Sequence, residues 1–298
     1  MRYAGAGTVW HGPSLVGSRL RVGETHASNH GPHVDSSAIS TSASSADRFG
    51  YEWEKYSEIL PEHEEQFRRW TAALAPQDWR GLTFLDVGCG MGRNSYWPMR
   101  YGAAGALAVD VDERSLAAAR RTLAPFPAVR VEHRSADAIG CRDEFDIVFS
   151  IGVIHHLEHP QRALAEMAAA TKPGGRVLNW VYGLENNEWI VRLLDPLRKA
   201  LFSRLPIGLV HHLSLYPATL LWLALRLGLG RIAYFRLLRR FGFRHLRAIV
   251  FDQMLPKIAH YWPRATVEQL MREQGLLDLR LIWVNKMSWC AIGRKPAR

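Results

Sequence analysis

Short apolar runs recur along the middle of the chain, each followed by a segment with helical spacing. The first run covers residues 82–87, with a helix near 92–101. A second covers 105–110, and its helix, 113–121, has Asp112 at the N-cap position. Further strands are expected at 129–133 and 145–150, with a helix over 161–171. Lys172-Pro-Gly-Gly175 breaks that helix before a fifth strand over 176–181. Units of this length predict an α/β fold, a doubly wound parallel sheet with helices on both faces. Upstream, apolar positions at Ile59, Phe67 and Trp70 follow a helical period until Pro76. Downstream, residues 266–274 read as a helix, then 277–285 and 288–293 as two strands. Their tight connection through Asn285-Lys-Met implies an antiparallel hairpin.

The two ends of this pattern differ in composition. Residues 1–48 are rich in Gly, Ser and His, include Ser36-Ser-Ala-Ile-Ser-Thr-Ser-Ala-Ser-Ser45, and show no sustained hydrophobic period. Such a segment buries too little apolar surface to offset its ordering entropy, so a disordered tail is expected, with order beginning at Phe49. His11, His26, His30 and His33 are irregularly spaced and are expected to be solvated, not metal-bound. The tail also lacks the apolar stretch of a secretory signal. Cys89, Cys141 and Cys290 are far apart and form no Cys-x-x-Cys pair. They point to a reducing, cytoplasmic setting without a disulfide framework or a metal site.

The chemistry concentrates in Phe84-Leu-Asp-Val-Gly-Cys-Gly-Met-Gly-Arg-Asn-Ser95. An apolar run ends at Asp86, then Gly88, Gly90 and Gly92 alternate ahead of a helix. Cys89 stands in the loop where a small side chain is needed. The next strand ends in Asp110-Val111, placing a carboxylate where a ribose diol would lie in a doubly wound sheet. A dinucleotide loop requires a third glycine where this chain has Arg93. Asp86 at the mouth of the loop would also repel an anionic pyrophosphate, whereas it suits a cationic ligand such as S-adenosylmethionine.

This stretch resembles motif I of class I S-adenosylmethionine-dependent methyltransferases, and the chain is most similar to their small-molecule, type 11 group. The resemblance covers residues 49–182 and the C-terminal strands. It implies a Rossmann-like seven-stranded sheet with an antiparallel last strand, a core formed by 49–183 and 265–298, and S-adenosylmethionine as cofactor. Ser135-Ala-Asp-Ala138 resembles the family's adenine-binding motif, with Asp137 as the contact and Ala136 leaving room for the ring. Ser150-Ile-Gly-Val-Ile-His-His-Leu157 resembles the segment that supplies backbone contacts and the acceptor floor, which makes Ile151 a cofactor contact. His155 and His156 are the candidate bases, of which one is expected to face the cavity. Tyr51 and Trp53 on the leading helix, with Tyr182, Glu185 and Asn186 beyond the fifth strand, are candidate acceptor contacts.

The alternation stops at residues 184–264, a mostly helical insertion after the fifth strand. It carries thirteen Lys/Arg against four Asp/Glu, nearly all of the chain's net charge of +10. Residues 205–225 include no formally charged side chain. A spanning helix is rejected, because the strands on either side must rejoin one sheet. Two readings remain: a lid over an apolar acceptor pocket, or a face on an anionic membrane surface through 205–247. The expected partner is a small-molecule acceptor, and the expected reaction is methylation of a hydroxyl on a small or lipophilic metabolite. No Asn/Asp-Pro-Pro-Tyr/Phe tetrad follows the fourth strand, which disfavours DNA-adenine and protein-glutamine methylation. An RNA methyltransferase using the basic insertion and a non-catalytic cofactor-binding protein are the alternatives. The sequence gives no oligomeric state.

Overall fold

The computed structural model describes residues 42–228 and 233–297. The tail expectation for residues 1–41 therefore lies outside the described residues. Its last part does not: helix α1 spans Ser42–Lys55, so the boundary expected at Phe49 falls inside a helix. Arg48 shows what anchors this helix. It is 6% exposed and donates to the carbonyls of Phe202 (2.7 Å), Leu205 (3.2 Å) and Leu255 (3.0 Å), all in the insertion. Long-range pairing of this kind leaves no periodicity for a sequence to display.

Seven strands form one sheet in the order β3-β2-β1-β4-β5-β7-β6. They are β1 (Thr83–Val87), β2 (Gly105–Asp110), β3 (Val129–His133), β4 (Phe145–Ile151), β5 (Thr171–Tyr182), β6 (Leu277–Val284) and β7 (Ser288–Arg294). The first five pair in parallel, whereas β7 runs antiparallel to both β5 and β6. Asn285 and Lys286 both take positive φ, 53° and 58°, as the expected tight hairpin requires. Lys172-Pro-Gly-Gly175 lies within β5, where the register against β4 shifts between Phe145 and Ile147.

Strand alternation divides the core. Leu85 and Val87 face one layer with Leu164 and Met167 of α5 (Pro160–Ala170). Phe84 faces the other, with Phe67 of α2 (Glu62–Trp70) and Trp97 of α3 (Arg93–Arg100). Helix α4 (Glu113–Leu123) starts as expected, Asp112 accepting from the amides of Arg114 and Ser115. In the insertion, π-helical turns Ile190–Leu194 and Arg198–Phe202 flank the short α6 (Asp195–Leu197). Then come α7 (Ile207–Leu213), α8 (Leu215–Leu227), α9 (Ala233–Leu238) and α10 (Phe243–Met254). Helix α11 (Arg264–Arg272) returns the chain to the sheet.

Candidate active site

Strand order reverses where β1 lies between β2 and β4, and a crevice at that point is where open α/β sheets bind ligands. The carboxyl ends of β1, β2, β4 and β5 open there into a cavity of about 1000 Å³. Gly88, Cys89 and Gly90 present main chain to it. Both glycines need positive φ, 75° and 53°. A Cβ on Gly88 would lie 2.4 Å from the Val153 side chain, and one on Gly90 would lie 2.8 Å from the Trp53 indole nitrogen. The loop is therefore a cradle that only glycine allows at these two positions.

Asp110 is fixed over this cradle. One carboxylate oxygen accepts from the Gly90 amide at 2.9 Å, the other from Val111 at 2.8 Å and Asp112 at 3.0 Å. Burial nonetheless holds its pKa above the ordinary carboxylate value. Val111, Ala136 and Ile151 also line the cavity. Gly92 does not; it caps α3 and packs on Leu123.

Two expected cofactor contacts lie elsewhere. Asp86, 1% exposed, sits behind the loop and not at its mouth. It shares the strand face of Phe84, so it meets α3, where the Ser95 hydroxyl donates to it at 2.7 Å. Its other oxygen is buried without a partner, and burial pushes its pKa up to about 7. Asp137 is exposed, lies outside the cavity lining and accepts from the Ser135 hydroxyl two residues away.

The histidine pair separates as expected. His155 is fully buried outside the cavity lining, its ring 4.0 Å from that of Tyr182 and neither nitrogen partnered. Burial drives its pKa well down, so it is a neutral packing residue. His156 lines the cavity, and its Nδ1 lies 2.7 Å from the Ile258 carbonyl. That contact assigns the proton to Nδ1 and leaves Nε2 as an acceptor. Burial lowers its pKa to about 4, making it neutral but weakly basic at pH 7.

Of the acceptor candidates, Trp53, Tyr182 and Asn186 line the cavity. Tyr51 packs instead against His211 and Phe251. Glu185 accepts from the Arg264 amide at 2.9 Å and the Trp289 indole at 3.2 Å, bracing the insertion against β7.

Two charged residues to which sequence reasoning gave no site role, Glu52 of α1 and Arg93 of α3, converge on the cavity with Asp252 of α10. Glu52 is 2% exposed, with one carboxylate oxygen buried and unpartnered. Burial, and then Asp252, hold its pKa well above the carboxylate range. Asp252 is pushed up by burial to about 6, against the pull of Arg93 and the Gln253 amide. The spacing of α1 and α10 identifies these positions only as polar ones, and no local signal marks them as facing one another.

Residues 85–179 match the family described as Methyltransferase domain, type 11. A ubiquinone biosynthesis O-methyltransferase of Sinorhizobium fredii is 35% identical over 114 residues, 37% of this chain and 44% of the relative. A tRNA U34 carboxymethyltransferase of Hahella chejuensis is 33% identical over 102 residues, 33% of this chain and 32% of the relative. The chain thus spans less than half the length of these two relatives. The structure of an O-methyltransferase family protein from Burkholderia thailandensis superposes with a TM-score of 0.53 at 12% identity, covering 85% of this chain and 60% of that one. Human N-acetylserotonin methyltransferase in complex with S-adenosylmethionine gives 0.52 at 12% identity, covering 88% and 60%. The glycine cradle, the Asp110 clamp and the buried acid behind them fit that cofactor, which brings positive charge to a pocket rich in desolvated carboxyl groups. Residues 85–179 thus match a methyltransferase domain, and the fold is one shared with solved methyltransferases.

Proposed function

We propose that this protein transfers a methyl group from S-adenosylmethionine to a hydroxyl of a small, lipophilic metabolite. The observation that carries this reading is the single cavity running from the glycine cradle to walls of Leu197, Phe202, Leu221 and Ile249 in the insertion. Its volume of about 1000 Å³ is at the upper end of the range for ligand pockets, roughly 300–1000 Å³, and leaves room for an acceptor beside the donor.

Gly88, Gly90, Asp110 and Ala136 would hold the donor. The bound cofactor supplies an electrophilic sulfonium methyl, so the protein has to align the acceptor, exclude water and remove a proton. The apolar insertion wall orients the acceptor and excludes water. Asp252, which lines the same cavity, would take the proton that the acceptor hydroxyl gives up on methylation. With a pKa of about 6, Asp252 is ionised at neutral pH and still basic enough to accept a proton. His156, at about 4, is the weaker acceptor. The charge of Arg93 favours the ionised form of both Asp252 and Glu52, against the burial that raises the pKa of each.

The test is to incubate purified protein and labelled S-adenosylmethionine with fractionated cell extract. Label in the organic-soluble pool is expected. A second reading, methylation of RNA, is favoured by the tRNA-modifying relative and the basic insertion. Label in the RNA pool would replace the first reading with it. Binding of S-adenosylhomocysteine with no labelled pool would make the chain a non-catalytic cofactor-binding protein.

A further inference from the structure

Apolar side chains on the surface are confined to one region. Among the described residues, twelve large hydrophobic side chains are exposed, and eleven of them lie between Trp189 and Leu227. Leu227 is 87% exposed, Tyr216 69% and Leu220 68%. The helical run Ile207–Leu227 has a mean hydropathy of 1.3, long and apolar enough to cross a membrane, yet only 17% of its most apolar window is buried. Its flanking segments lead into β5 on one side and, through α11, into β6 on the other, so the run cannot cross a bilayer without pulling the sheet apart. A soluble lid would bury this surface. Here the inner side of α8 lines the cavity through Pro217 and Leu221, and the outer side faces solvent. Surfaces of this kind mark docking sites.

Two further features identify what covers it. A second cavity, about 360 Å³, lies between the end of α1, α7 and α10 and is lined by Lys55, Tyr56, His211, Phe243, Arg244 and Arg247. Three cations and no carboxylate line it; Arg244 donates to the Lys55 carbonyl and Arg247 to that of His211, so it is a cluster of positive charge and not an open anion pocket. Leu215, 41% exposed, is one helical turn beyond His211, so this basic cluster borders the apolar face. Second, Trp189, Leu194 and Leu197 belong to both surfaces. Each is 45–54% exposed, and each lines the large cavity. The mouth of the acceptor cavity therefore opens through the apolar face.

We propose that the Trp189–Leu227 face seats the protein on an anionic bilayer, with the positive charge of Lys55, Arg244 and Arg247 beside it drawn to the headgroups, and that the acceptor enters the cavity from the lipid phase. Docking stands by itself, while the route of the acceptor rests on the methyltransferase reading above. Charge favours lipid over a second copy of the chain. A two-fold dimer would bring this basic module against itself, whereas an anionic surface attracts it. The geometry is that of an amphipathic element lying in the interface plane, apolar side chains in the acyl boundary and arginines among the headgroups.

Co-sedimentation with phosphatidylcholine vesicles, with and without phosphatidylglycerol, tests the proposal, with S-adenosylhomocysteine titration reporting the intact fold. Wild-type protein should bind the anionic vesicles about tenfold or more tightly than the neutral ones, less so at high salt. The double variant Leu220→Asp/Leu227→Asp should lose vesicle binding, and Arg244→Glu should lose the anionic preference; both should keep cofactor affinity. Sedimentation that is equal with anionic vesicles, neutral vesicles and none overturns the proposal. So does a lipid-free dimer that Leu220→Asp dissociates. Failed docking with cofactor binding intact removes this inference alone, whereas failed cofactor binding removes the methyltransferase reading and leaves docking standing.

Discussion

The donor side of the cavity and its acceptor side are built on opposite principles. The donor side is main chain: a glycine cradle, an aspartate clamped by three amides, and strand ends fixed by a parallel ladder. The acceptor side is side chain: apolar walls on helices held to the core by Arg48, and a Glu52–Arg93–Asp252 group assembled from three elements. Main chain can be set only by local conformation, so the donor side tolerates little change and fixes one ligand. Side chains on an insertion can be exchanged without touching the sheet, so the acceptor side is where specificity is free to vary.

The comparison breaks first at Gly88. Valine there would need positive φ and would drive its Cβ into Val153, so Gly88→Val should weaken S-adenosylmethionine binding at least ~100-fold. Calorimetry reads the affinity, and a thermal melt shows whether the fold survives. The acceptor side answers at Asp252. Asp252→Asn should lower kcat about 100-fold and leave donor affinity unchanged. In wild type, kcat should fall as pH drops through about 6, where Asp252 gains its proton, and the variant should lose that inflection. An unchanged kcat would return the base role to His156.

Smaller effects sharpen the contrast. Arg48→Ala leaves three insertion carbonyls without their donor, so it should destabilise the protein by about 2–4 kcal/mol and speed proteolysis between 190 and 228. Donor affinity should change least in that variant. Asp86, held up to about 7, binds a proton in the fold that the unfolded chain releases near its ordinary value of 3.8. Its contribution to stability is therefore lost as pH rises from about 4 to about 7. A bound cation favours the carboxylate, so S-adenosylmethionine affinity should weaken about three- to tenfold from pH 8 to pH 6, and Asp86→Asn should remove that dependence.

The same contrast explains what the sequence disclosed. Gly88, Gly90 and Asp110 were legible because a βα turn and the next strand end fix their relations locally. Asp86 was legible as an acid but not in its placement: strand parity turns it away from the cavity toward Ser95, nine residues on. Of two adjacent histidines, a single helical turn sends His156 to the cavity and His155 into the core. The convergence of Glu52, Arg93 and Asp252 on one cavity was not legible, since it depends on how α10 packs over α1. The basic, uncharged-centred insertion announced an unusual surface, and the exposure of Leu220 and Leu227 gives that composition a location.

Titration of the folded protein with S-adenosylhomocysteine, beside Asp110→Ala, is the most direct test of the account. Removing the carboxylate that ties the glycine loop to the β2 tip should weaken binding about 10- to 100-fold. Folded wild-type protein that takes up no ligand, or an Asp110→Ala variant that binds as well as wild type, would contradict the assignment of this cavity to the methyl donor.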